Sequence, residues 1–70
     1  MNRSAKVVYN GEPREVAARA SVADFLAELR LDSRRVAVEV NLQLIPRQRH
    51  AEVVLADGDR VEVVTLVGGG

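Results

Sequence analysis

The sequence contains no cysteine, which removes disulfides, thiolate zinc sites and cysteine nucleophiles from consideration together. Tryptophan is absent too, and Tyr9 and Phe25 are the only aromatic residues. The basic spots Arg34-Arg35 and Arg47, Arg49, His50 therefore have no stacking rings interleaved with them, and nucleic acid is the weakest of their readings, behind a solvated surface and docking to an acidic protein partner. Neither sign of charge is in excess: ten basic and ten acidic side chains cancel, so no long-range field marks a nucleic-acid or membrane binder. No apolar stretch of signal-peptide length follows the opening Met1 to Lys6, and no window approaches a membrane span, so a cytoplasmic protein is expected. His50, the single histidine, has no second histidine, cysteine or serine nucleophile near it in sequence, and is read as a surface loop residue.

What is present is the composition of one small globular domain. Of 70 residues, 47% are hydrophobic, and a chain this short buries only about 60% of the surface its unfolded form exposes. It cannot house a deep active-site cleft. Lys6 to Tyr9, then Asn10-Gly11, then Arg14 to Ala17 read as a hairpin, with Val7, Tyr9 and Val16 facing the core and Pro13 tolerated near the turn. Ser21 offers an N-cap oxygen and Asp24 stands at the third helical position. Val22, Phe25, Leu26 and Leu29 follow at i, i+3, i+4 and i+7, so the spacing predicts one amphipathic helix from Val22 to Arg30.

Val36 to Asn41 alternates cleanly and predicts a strand with Val36, Val38 and Val40 inward and Glu39 in water. Leu44-Ile45-Pro46 reads as a short edge strand that proline limits, and Arg47 to Leu55 as irregular chain with one helical turn. Asp57-Gly58-Asp59 is a tight turn, since the further oxygen ligands of a calcium loop are missing. Arg60 to Leu66 is the last strand, with Val61, Val63 and Thr65 on one face and Glu62, Val64 and Leu66 on the other. Hairpin, helix, strand, short strand and strand make an α+β, β-grasp arrangement: a mixed sheet of four to five strands, one main helix, and the first and last strands side by side at the centre.

No catalytic set and no metal site emerges along the chain. What stands out is the end, Val67-Gly68-Gly69-Gly70. Residues 1–66 read as the body and 67–70 as a flexible tail, which can reach about 13 Å when extended. Glycines without side chains suit threading into a partner's active site, where the terminal carboxylate would be the reactive group.

Taken together, Tyr9-Asn10-Gly11, Val38-Glu39-Val40-Asn41 followed by Ile45-Pro46-Arg47, Asp57-Gly58-Asp59-Arg60-Val61-Glu62-Val63-Val64 and the closing Val67-Gly68-Gly69-Gly70 resemble the ThiS family. These are ubiquitin-like sulfur carriers of thiamin thiazole synthesis. The resemblance implies a β-grasp fold and a protein co-substrate rather than an enzyme. Gly70 would be adenylated by an ATP-using, E1-like adenylyltransferase of the ThiF type and converted to a thiocarboxylate with sulfur from a donor. That sulfur would pass to a thiazole synthase of the ThiG type. No cofactor would be bound by the carrier itself, and the lack of cysteine fits sulfur held on the main-chain terminus. Val67, Gly68 and Gly69 would thread into the partners' active sites. Val64 and Leu66, with Arg47 and Arg60, would form the docking face, because an exposed apolar strand face beside the tail needs a reason. The third glycine departs from the two-glycine end of many relatives. The small subunit of molybdopterin synthase is a second resemblance within the same chemistry, and an unmodified ubiquitin-like interaction module is the alternative from another class.

Overall fold

The computed structural model describes residues 3–66. Five strands form one sheet: β1 (Ser4–Tyr9), β2 (Glu12–Ala17), β3 (Val36–Val40), β4 (Gln43–Ile45) and β5 (Arg60–Thr65), crossed by one helix, α1 (Val22–Glu28). The sheet order is β2-β1-β5-β3-β4. The first and last strands do lie together at the centre, and they run parallel while the other neighbours are antiparallel. The β-grasp arrangement read from the sequence is the one observed.

Local chemistry accounts for the elements. Asn10 and Gly11 both hold positive φ, +47° and +87°, as the two central residues of a type I′ hairpin must. Tyr9 and Glu12 close that turn as a paired position. The chain makes a second turn of the same kind that the sequence reading passed over. Asn41 (φ +52°) and Leu42 (φ +70°) join Val40 to its partner Gln43, so Asn41 belongs to a turn and not to the strand. β4 stops at Ile45 because Pro46 has no N–H to offer, and Arg47–Arg49 supplies the expected single turn, of 3₁₀ type.

α1 begins with a reciprocal capping box: the Asp24 N–H donates to Ser21 Oγ and the Ser21 N–H to Asp24 Oδ2, each at 3.0 Å. The next two free donors, from Val22 and Ala23, reach the carbonyls of Val53 and His50 at 2.8 and 2.9 Å. The helix ends two residues sooner than its apolar periodicity suggested, at Glu28. Arg30 takes φ +60° and donates its N–H to the Ala27 carbonyl, while Leu31 donates to the Leu26 carbonyl. This paired reversal satisfies the last carbonyls and ends the helix, and Leu31 folds back to pack on the core.

The core lies between α1 and the inner face of the sheet. Phe25 and Leu26 of α1 are buried with Val7, Val16, Val36, Val38, Val40, Leu55 and Val61. Tyr9 meets Phe25 edge to face with ring centroids 5.2 Å apart, and the Arg14 guanidinium lies 6.0 Å over the Tyr9 ring. Thr65 shares the inner face with Val61 and Val63 but is exposed at the strand's end.

His50 corrects the sequence reading: it is buried, at 4% exposure, and not a surface loop residue. The 3₁₀ turn carries it beneath the start of α1, where its ring Nε2 lies 3.1 Å from the Ile45 carbonyl. A carbonyl can only accept, so Nε2 carries the proton and donates. Nδ1 has no hydrogen-bond partner among the described residues. The residues before His50 in sequence, Arg47 to Arg49, are polar, and the docking of the loop from 50 to 55 against α1 encloses it.

Candidate functional site

Val67, Gly68, Gly69 and Gly70 lie outside the described residues, and the strand that leads to them is β5. β5 is the central strand, flanked by β1 and β3. Its parallel pairing with β1 is short, Val8 with Arg60 and Tyr9 with Val61, and the side chain of Asn10 extends it. Asn10 Oδ1 accepts from the Val63 N–H at 2.8 Å and Nδ2 donates to the Val63 carbonyl at 3.1 Å. On the other flank Asn41 performs the matching task. Its Oδ1 accepts from the Arg60 N–H at 2.9 Å, its Nδ2 donates to Asp59 Oδ1 at 3.0 Å, and its own N–H donates to the Arg60 carbonyl at 2.8 Å. Two hairpin-turn asparagines thus hold β5 from opposite sides.

The Asp57-Gly58-Asp59 turn locks the start of the same strand. Asp57 Oδ1 accepts from the Lys6 N–H at 2.7 Å and Asp59 Oδ2 from the Ala56 N–H at 2.8 Å, while the Gly58 N–H donates to the Lys6 carbonyl at 2.8 Å. Gly58 sits at φ +86°, where a side chain is strained. At the far end the Leu66 N–H donates to the Arg35 carbonyl at 2.7 Å, so the backbone is tied down at the last described residue before the tail. Sequence reading found the Asn10-Gly11 and Asp57-Gly58-Asp59 turns but neither the Asn41-Leu42 turn nor these bonds. An Asn-Gly or Asp-Gly-Asp signal announces a reversal and is silent about which distant strand the side chain will reach.

The predicted docking residues divide. Val64, 61% exposed, projects from the outer face of the sheet, opposite to buried Val61, and Leu66, 56% exposed, follows directly after the strand's end. Arg60 shares that face by alternation and lines a depression with Glu39, Leu42 and Glu62. Arg47 does not join them. It lines a groove with Ala23 and Ala27 of α1 and with Ser33, on the helix side of the sheet. Leu42 and Leu44, 88% and 65% exposed, extend the apolar surface in a way the strand-by-strand reading missed. Register brings Leu44 of β4 beside Glu39 of β3.

The basic spot at Arg34-Arg35 is largely consumed within its own turn. Arg34 Nη2 lies 3.1 Å and Arg35 Nε 3.8 Å from Asp32 Oδ2. The Arg34 side-chain hydrogen bond, then its backbone one, holds the Asp32 carboxyl below its ordinary value, and the same bond raises the Arg34 guanidinium. Among the described residues no three His, Cys, Asp or Glu side chains gather into a metal site, and no helix is long and apolar enough to cross a membrane. The arrangement can hold a strand and display a face.

Comparison with known proteins follows the same line. Residues 7–70 match the model of the ThiS family. A thiazole synthase of Paramagnetospirillum magneticum is 48% identical over 65 residues, which are 93% of this chain and 20% of that protein, so the chain spans about a fifth of that relative. The sulfur carrier protein ThiS of Bacillus subtilis is 42% identical over 50 residues, 71% of this chain and 76% of the relative. The crystal structure of the thiamine biosynthesis protein ThiS from Geobacter metallireducens superposes with a TM-score of 0.81 at 31% identity, covering 93% of this chain and 99% of that one.

Proposed function

The chain belongs to the ThiS family, and we propose that it is a sulfur carrier of thiamine biosynthesis whose reacting group is the Gly70 carboxylate and not a side chain. The observation that carries this reading is the division of labour in the fold. The body assembles no catalytic set among its described residues, yet the strand that runs into Val67, Gly68, Gly69 and Gly70 is tied on both flanks and at both ends. A terminal carboxylate is a poor electrophile. Attack of its oxygen on the α-phosphate of ATP, with loss of pyrophosphate, gives an acyl-adenylate; hydrosulfide released by a donor then attacks the acyl carbon, AMP leaves, and the thiocarboxylate remains after loss of the proton.

An E1-like adenylyltransferase of the ThiF type would catalyse the first step in the cytoplasm, where ATP is at hand, and a thiazole synthase of the ThiG type would receive the sulfur. A relative named thiazole synthase contains a stretch similar to this chain, which supports the second partnership. The outer face around Val64, Leu66 and Arg60 is the docking surface in this reading.

Intact-mass spectrometry after incubation with ATP, a sulfur donor and the adenylyltransferase tests the proposal. The expected result is a mass gain equal to exchange of one oxygen for sulfur, located on Gly70. Deleting Gly69-Gly70 or amidating the terminus should abolish it while the melting temperature stays unchanged. Thiocarboxylate formed on an amidated or truncated chain would overturn the reading, and an unmodified chain throughout would leave an interaction module in its place.

A further inference from the structure

The outer face carries a feature that the carrier chemistry does not use. Glu39 and Glu62 stand directly opposite each other in the β3–β5 register, and both are exposed. Side chains so paired have Cβ atoms about 4.5–5.5 Å apart, and like charges at that separation destabilise a sheet. Among the described residues the ion pairs are those of Asp32 with Arg34 and Arg35 and of Arg49 with Glu52. Neither glutamate takes part, nor does Arg60, two residues before Glu62.

Apolar groups also ring much of the two carboxylates, with Arg60 as the charged neighbour. Leu44 is the partner of Glu39 on its other side, Ala37 and Val64 form the next pair along the same face, and Leu42 closes the opposite side around a depression of about 230 Å³ that Glu39, Arg60 and Glu62 complete. Leu42 is displayed there at 88% exposure from a backbone with φ +70°, a conformation unfavourable for leucine.

We propose, building on the docking face described above, that this surface is covered by a protein partner which seats an arginine or lysine side chain between Glu39 and Glu62 and lays apolar side chains over Leu42, Leu44 and Val64. The charge argues for a cation: one inserted between the carboxylates relieves their repulsion, and the apolar ring keeps water from the contact and strengthens it. The same charge disfavours a nucleic acid. It also disfavours a second copy, since a two-fold pairing of this face with itself sets one net-negative patch against another. The partner assigned is the thiazole synthase of the carrier reading, because a relative of that name carries a stretch similar to this chain within its own length.

Calorimetric titration of the cognate thiazole synthase with the wild-type chain and with Glu39→Gln/Glu62→Gln, at low and high salt, tests the seat. The double variant should bind about tenfold more weakly or worse at low salt and lose most of its salt dependence. The free variant should nevertheless melt a few degrees higher, because the repulsion is gone. A merely structural role would not move stability and affinity in opposite directions. Unchanged affinity and salt dependence overturn the cation seat. Val64→Asp separates that failure from failure of the docking face: lost binding there with intact binding of the glutamine variant keeps the face and removes the seat, whereas intact binding in both, or no binding by the wild-type chain, removes the face and the seat with it. A wild-type dimer in sedimentation that the glutamine variant abolishes would give the surface to a second copy and also overturn the proposal.

Discussion

Arg30 occupies the position where a helix most often ends in glycine, with φ +60°, and among the described residues its exposed side chain makes no hydrogen bond or ion pair that would offset the backbone cost. Arg30→Gly should therefore stabilise the protein by about 0.5–1 kcal/mol, the relief of left-handed strain less the greater freedom glycine has when unfolded. Chemical denaturation should show a higher midpoint with an unchanged slope; a lower midpoint would mean that the reversal does not limit stability. At this scale the sequence was only half informative. Asn10 and Asn41 were visible as turn or strand residues, but their grip on β5 spans 53 and 19 positions respectively, and local propensity holds no information at that range. His50 was misread for the same reason. Its enclosure comes from α1 and Ile45, and nothing in the polar run from Arg47 to Arg49 announces it.

Among elements, α1 was the most legible, because its cap and its stripe are local patterns. Ser21, Asp24 and the spacing of Val22, Phe25, Leu26 and Leu29 settled its start and its buried side, while its end was set by the backbone reversal at Arg30. Leu26 is 2% exposed and stands at the contact between helix and sheet. Leu26→Ala should cost about 2–5 kcal/mol, a large share of the about 5–15 kcal/mol typical of a domain. A melting temperature unaffected by that substitution would show that the stripe does not face the sheet. Strands with strict alternation, β3 and β5, were equally plain. The β3–β4 hairpin was not, since Asn41-Leu42 lacks the glycine that marks such turns and Leu42 has no intrinsic preference for positive φ.

On the scale of the whole molecule, the proposed carrier chemistry places the reacting group outside the folded body, and the reading predicts that the two can be perturbed independently. Gly69→Val keeps the carboxylate and every core contact but adds a β-branched side chain that restricts the backbone and widens the tail. Thermal stability should match the wild type, while ATP-dependent pyrophosphate release with the adenylyltransferase falls to background and no thiocarboxylate appears in the mass spectrum. Pyrophosphate release at the wild-type rate would show that the adenylyltransferase's active site tolerates a side chain at that position and that the glycines serve some other purpose.

The amino-acid sequence by itself determined the elements and their faces, because alternation, helical spacing, caps and turn residues act over a few positions. It also excluded thiolate chemistry, since the sequence holds no cysteine. Tertiary structure alone decided what shares a surface. Register between β3, β4 and β5 placed Leu44, Glu39 and Glu62 in one row and sent Arg47 to the helix side, away from Arg60. Those neighbours belong to different segments of the chain, and their proximity is fixed by long-range hydrogen bonding and by burial of the opposite face against α1, which no short window of sequence contains.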